Sequence, residues 1–368
     1  MKIDELDIKE KIGQTLIIGL DISKGKNMYE VIDKIVNEYK AGGICLYKKN
    51  YDSYNDLVNL INYIKEKSKK EKIPIFISVD QEGGRVNRMP SDFINIPSMY
   101  KLKCNSNNEK DLVKEAGNIT GKMLRNLGFN MDFAPVLDIK RFPDNHSIGD
   151  RAISSNYEEV SKYGIEYMQE LKKNNIVSVI KHFPGHGSTK KDSHFNLAKI
   201  NVSMEELQKE DIIPFEKAIN NGADAILIGH LILPKETLGL PVSLSKRFIT
   251  KYIRKKYRYK GLIITDDLRM KAISLHFFGK RNPIKLAYVA GNDMMIIKYK
   301  GNEEKYIQNL INKIEESNLN IARLNRKVKR ILNIKEKYDV NNEKIDIDEN
   351  FRNNINNQIR RIKEKSSN

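Results

Sequence analysis

The sequence predicts an α/β protein folded as a (β/α)8 barrel of the TIM type, a single domain over residues 1–338. Eight short apolar runs rich in Ile and Val recur along the chain, amphipathic stretches lie between them, and charged or imidazole side chains end most of the runs. Continuous apolar runs are the pattern of parallel strands buried on both faces. A barrel gathers its chemistry where such strands pass into loops. A doubly wound open sheet is the alternative that the same runs allow.

In chain order the runs are TLIIGL (15–20), GGICLY (42–47), PIFISV (74–79), FNMDFAPV (129–136), VSVIKHF (177–183), DAILIGH (224–230), GLIIT (261–265) and DMMIIK (293–298). Helical spacing follows between them: Leu57, Leu60, Ile61 and Ile64 fall at i, i+3, i+4 and i+7, as do Ile307, Leu310, Ile311 and Ile314. Gly128, Gly222 and Gly291 stand where helices should stop, and Ser203 is placed to cap the helix that opens with Met204. No composition break marks a second domain. Residues 339–368 are polar, rich in Asn and Lys and weakly patterned, and are expected to form a basic C-terminal surface appendage.

Composition removes several classes. At 368 residues and 40% apolar content the chain can bury a large core, so wholesale disorder is excluded. No run approaches the length of a membrane-spanning helix, and the opening MKIDELDIKEKIGQ lacks the apolar core of a signal peptide. Two cysteines, Cys45 and Cys104, are too few for a disulfide framework and fit a reduced cytoplasmic protein. The net charge of +17 is spread along the chain; even the densest stretch, KYIRKKYRYK (251–260), reads as the solvated face of one helix, so nucleic acid is not expected as a partner.

Three segments carry chemistry. SVDQEGGRVNRM (78–89) sets Asp80, Glu82, Arg85 and Arg88 around Gly83-Gly84. Carboxylates and guanidinium groups together suit a ligand with many hydroxyls; a strand–turn–helix junction laced by salt bridges would look the same. VIKHFPGHGSTKKDSHFNL (179–197) holds His182, His186 and His194, half of the histidines in the chain, with Asp192 two residues before His194. Its aperiodic, glycine-bearing loop admits a metal site, an Asp–His pair for proton transfer, or a chance cluster. GLIITDDLRM (261–270) ends a strand in Asp266 and Asp267. Neighbours on a strand point to opposite sides, so one of the two should face the pocket directly and Asp267 could cap the helix expected from Leu268. His230 ends a strand without an assigned role, and His146 and His276 read as incidental.

From about Leu6 to Tyr338 these segments, in this order, resemble glycoside hydrolase family 3, and within it the bacterial β-N-acetylglucosaminidases. The resemblance includes KIGQTLIIG (11–19), AGGICLYKKN (41–50), VDQEGGRVNRM, NMDFAPVLDI (130–139), GDRAIS (149–154), KHFPGHG…DSH, PVSLS (241–245) and TDDLRM. It implies Asp266 as the nucleophile and His194 as the acid/base with Asp192 as its partner. It also implies Asp80, Arg88, Arg151, Lys181 and His182 as residues that hold the non-reducing sugar. Relatives usually follow that arginine with Ser and Phe; here Ala152 and Ile153 follow.

The activity so implied is retaining removal of terminal β-linked N-acetylglucosamine from an oligosaccharide or muropeptide, in peptidoglycan recycling or chitooligosaccharide breakdown, with no metal and no cofactor. Water is the expected acceptor. Phosphate is an alternative one, because a neutral imidazole base would not repel it as a carboxylate would. Another family 3 β-glycosidase is a further alternative, and a metal-dependent barrel hydrolase using His182, His186, His194 and Asp266 comes from a different class.

Overall fold

The computed structural model describes residues 3–107, 111–142, 148–187, 198–200, 202–271, 273, 282–316 and 318–367. Each of the eight predicted runs contributes a strand: β1 (Leu16–Gly19), β2 (Gly43–Cys45), β3 (Phe76–Val79), β4 (Met131–Asp132), β5 (Val177–Phe183), β6 (Ala225–Ile228), β7 (Leu262–Thr265) and β8 (Met295–Lys298). Consecutive strands pair in parallel, and β8 returns to β1 with Met295 opposite Leu16. Between β7 and β8 the pairing narrows to one bridge, Ile264 to Met294. The sheet is therefore a nearly closed barrel rather than an open doubly wound one.

Alternation along the strands explains why the runs read as continuously apolar. Ile17, Phe76, Val177, Val179, Ala225, Leu227, Leu262, Ile264 and Ile296 fill the barrel. Their neighbours Leu16, Ile18, Ile77, Ile180, Ile226, Ile228, Ile263 and Ile297 pack outward under the helices. Both faces are dry, so neither needs polar residues.

The helices begin and end where the sequence signals them. Helix Tyr54–Ser68 starts in a capping box of Ser53 with Asp56 and buries Leu57, Leu60, Ile61 and Ile64. Helix Met204–Lys209 starts in another, Ser203 with Glu206. Gly128, Gly222 and Gly291 all take positive φ at helix ends. The basic stretch lies partly in a wide helical turn, Ile249–Lys256, with Lys251, Lys255 and Lys256 exposed and Tyr252 and Ile253 buried.

Helix Asn318–Lys337 closes the end of the barrel away from the site. Ile331 and Ile334, followed by Tyr338 and Val340, join the barrel interior. Buried Lys335 donates to Gln14 Oε1 at 2.8 Å and to the Pro74 carbonyl at 2.7 Å.

Beyond it the chain docks again. Asn62 pairs with the backbone of Ile345 through two 2.8 Å hydrogen bonds. Helix Glu349–Lys365, capped by Asp348, buries Ile355, Ile359 and Ile362 in the main core and packs on helix Leu112–Asn126. The C-terminal segment is thus polar on one side only, its apolar stripe reduced to single isoleucines among Asn and Arg. Among the described residues no helix is long and apolar enough to cross a membrane.

Candidate active site

The strands end around a cavity of about 310 Å³. Asp80, Arg88, Arg151, Lys181, His182 and Asp266, six of the eight site residues expected from the sequence, all border it. Asp192 and His194 lie outside the described residues, as do His146 and His276.

The floor of the cavity is an ion-pair network. After β3 the chain turns at Gly83 and Gly84, both at positive φ, where a Cβ on Gly84 would lie 2.7 Å from Ser98 Cβ. That turn carries Asp80 and Glu82 back toward β5. Lys181 Nζ lies 2.7 Å from Asp80 Oδ1 and 2.5 Å from Glu82 Oε1. Arg151 grips Glu82 with two bonds of 2.8 Å. Burial alone would raise the Glu82 carboxyl, but Lys181 and Arg151 hold it well below the usual carboxylate range. Burial would likewise lower Lys181, and Asp80 and Glu82 reverse this and keep it charged. The salt bridges of the first segment lace the turn after β3, and Asp80 and Glu82 also line the cavity.

Arg88 differs from its neighbours. Its backbone is fixed, the N–H by Gln81 Oε1 and the carbonyl by the Tyr51 hydroxyl, both at 2.9 Å. Its buried Nε has no hydrogen-bond partner. Among the described residues no carboxylate stands within ion-pair distance of its guanidinium, and Arg88 borders the cavity.

Strand β5 shifts register between Ile180 and Phe183, and both Lys181 and His182 border the cavity. His182 Nδ1 lies 2.6 Å from Asp138 Oδ2, and the backbone N–H of His186 donates to Asp138 Oδ1 at 2.6 Å. Burial pushes the His186 ring down to about 4, so it is neutral at physiological pH.

At the end of β7 the two adjacent carboxyls diverge. Both residues border the cavity, because the chain leaves the strand at this point. Asp266 Oδ1 accepts the Asp267 N–H at 2.7 Å. Burial would raise the Asp266 carboxyl, but the His230 and His182 rings, this N–H and Lys181 outweigh it and set it below its ordinary value. Asp267 is raised, chiefly by burial. Its Oδ1 accepts the N–H groups of Arg269 at 3.0 Å and Lys298 at 3.2 Å, so it caps a turn at 267–270 in place of the expected helix start at Leu268. His230 is structural: Nδ1 meets the Ser243 hydroxyl at 2.8 Å and Nε2 the Asp267 carbonyl at 3.1 Å.

Sequence reasoning did not assign Glu82, Asp132, Asp138 or Lys298. Glu82, Asp132 and Asp138 lie inside the motifs VDQEGGRVNRM and NMDFAPVLDI, and Lys298 ends the eighth run. Asp132 is wholly buried behind the network, with Oδ1 accepting the Gln81 N–H at 2.9 Å and burial raising its carboxyl well above the ordinary value. Among the described residues no three His, Cys, Asp or Glu side chains converge as a metal site.

The sequence profile of the glycosyl hydrolase family 3 N terminal domain matches residues 7–334. The chain belongs to glycosyl hydrolase family 3. Relatives of this family 3 chain include a β-hexosaminidase of Tolumonas auensis, 34% identical over 72% of this chain and 77% of the relative. One from Haemophilus influenzae is 31% identical over 77% and 79% of the two chains. Among solved structures, the family 3 β-N-acetylglucosaminidase of Paenibacillus sp. str. FPU-7 superposes with a TM-score of 0.87 at 30% identity, covering 98% of this chain and 69% of that one.

Proposed function

We propose that the protein is a retaining β-N-acetylglucosaminidase that releases terminal N-acetylglucosamine through a glycosyl-enzyme on Asp266. The observation that carries this reading is Asp266 itself: an ionised carboxylate at a strand end, one oxygen held by the Asp267 N–H, facing a cavity whose other carboxylates are already engaged. The relatives, β-hexosaminidases and a β-N-acetylglucosaminidase, support the choice of sugar. Asp80, Arg88, Arg151, Lys181 and His182 bind its hydroxyl and acetamido groups, with Arg88 as the guanidinium that awaits a partner.

Retaining glycosidases normally pair a carboxylate nucleophile with a carboxyl acid/base. Here the second role falls to His194, oriented by Asp192, on the strength of the DSH segment. Asp266 Oδ2 bonds to the anomeric carbon as the glycosidic C–O bond breaks, and His194 passes its proton to the leaving oxygen. Neutral His194 then takes a proton from water, the water oxygen bonds to the anomeric carbon, and the Asp266 carboxylate departs. Two inversions leave the configuration retained. With phosphate in place of water the same steps would give a glycosyl phosphate.

Muropeptide fragments and chitooligosaccharides are the substrates this reading admits. It sets the enzyme in the cytoplasm, with Cys45 and Cys104 as free thiols. Time-resolved NMR of chitobiose and of an N-acetylglucosaminyl anhydromuramyl disaccharide, with and without phosphate, tests substrate, stereochemistry and acceptor together. The β-anomer should form first. An α-anomer first, or no cleavage of either, would remove the proposal.

A further inference from the structure

Asp138 is fully buried, yet none of the roles above uses it. It lies just past β4, where the chain still runs beside β5: Val136 bridges Lys181, and the Leu137 N–H donates to the Lys181 carbonyl at 2.7 Å. That extension delivers the carboxylate into the turn made by residues 182–186. There it accepts three times. Oδ2 takes the His182 backbone N–H at 3.2 Å and meets His182 Nδ1 at 2.6 Å, while Oδ1 takes the His186 N–H at 2.6 Å. The turn is closed by the Gly185 N–H on the His182 carbonyl at 2.8 Å.

An ionised carboxylate only accepts, so His182 Nδ1 must carry a proton toward it. The ring borders the cavity, and among the described residues its Nε2 has no protein partner. Burial and the short contacts leave the ring one orientation. The His186 ring packs edge-on against it, with centroids 5.7 Å apart, and blocks rotation from that side.

We propose that Asp138 is a positioning residue that fixes the orientation and tautomer of His182, so that Nε2 is the nitrogen offered to the bound sugar. The proposal rests on the glycosidase reading for its ligand. The Asp138–His182 pair belongs to the barrel frame. Asn at position 138 would offer one acceptor where Asp offers two. Whichever way its amide turned, either His182 or the His186 N–H would face an NH₂ group.

The test has two parts on the full-length protein. In proton spectra of protein labelled with ¹⁵N-histidine, the His182 Nδ1 proton should appear far downfield and vanish in His182→Gln. Its absence from the wild type, or its survival in His182→Gln, would overturn the proposal. This readout needs no sugar and no Asp138 variant that folds. Second, kcat/KM on a nitrophenyl N-acetylglucosaminide is compared among Asp138→Asn, His182→Gln and the double variant. Each single change should lower it by about 10- to 100-fold, the scale of one charge-assisted hydrogen bond. The double variant should be no worse than His182→Gln alone. Losses that multiply would mean Asp138 acts elsewhere and contradict the proposal, as would wild-type kinetics in a folded Asp138→Asn. A wild type that ignores this substrate counts against the glycosidase reading alone, and the downfield proton still decides the tether.

Discussion

Glu82 and Arg88 stand six residues apart in one motif and do opposite work. Glu82 is 4% exposed and neutralises Lys181 and Arg151, which are themselves largely buried. Removing its charge leaves Lys181 with Asp80 as its carboxylate partner and weakens both bonds from Arg151, a loss on the order of 3–5 kcal/mol for a broken buried pair. Glu82→Gln should therefore lower both the thermal midpoint and kcat/KM. Arg88 lacks such a partner, so Arg88→Ala should leave the midpoint nearly unchanged. It should still weaken catalysis by about 1.5–3 kcal/mol in kcat/KM through one lost charge-assisted bond. Calorimetry beside steady-state kinetics separates the two, and equal loss of stability in both variants would show that Arg88 is structural. His194→Ala tests the remaining role. A nitrophenolate departs without a proton, so this variant should keep its first step on the nitrophenyl glycoside and show a burst of nitrophenol. Azide should rescue the second step, while natural disaccharides lose about 10²–10⁴-fold in rate. Equal losses on both substrate types, without burst or rescue, would mean His194 is not the acid/base.

At the scale of elements, legibility followed the strength of the local signal. Strands such as LIIT and AILI are apolar on both faces, and a two-sided burial requirement leaves no ambiguity about their nature. The helix cap at Ser203 was equally plain, because a capping box is local chemistry. What the sequence hid was long-range. Nothing in NMDFAPVLDI says that Asp138 reaches across to His182, since that contact exists only once the strands are side by side. Asp267 is a similar case: its turn is held by Lys298, thirty-one residues away. The C-terminal helix was hidden for another reason, because Ile355, Ile359 and Ile362 are diluted by polar neighbours and the buried stripe covers only about two turns. Those isoleucines belong to the main core, so Ile359→Ala should destabilise the whole barrel by about 2–5 kcal/mol while leaving kcat/KM at low temperature unchanged. Urea unfolding in two separate transitions would show instead that the helix is an independent appendage.

For the whole molecule, the end of the barrel opposite the site carries buried lysines, Lys327 and Lys335, that couple folding to pH. Burial pushes Lys327 down to about 7 and Lys335 well below its ordinary value. Both are lower in the folded chain than in the unfolded one, so between those values the unfolded chain binds more protons. Stability must then rise with pH, for Lys327 between about 7 and its ordinary 10.5. Tyrosines act in the other sense only at the top of this window; burial raises Tyr39 from 10.0 to about 12. The urea midpoint should therefore climb from neutral pH into the mildly alkaline range, and Lys327→Met should reduce the slope. A flat or falling midpoint in the wild type would contradict these buried amines.

The proposed mechanism depends most on a covalent bond between Asp266 and the sugar, and intact-protein mass spectrometry during turnover reads that bond directly. His194→Ala, mixed with a nitrophenyl N-acetylglucosaminide and quenched in acid during the burst, should gain the mass of one N-acetylhexosaminyl unit. Proteolysis should place it on the peptide containing Asp266, and Asp266→Asn should gain nothing. Steady release of nitrophenol with no adduct, or an adduct on another residue, would contradict the mechanism.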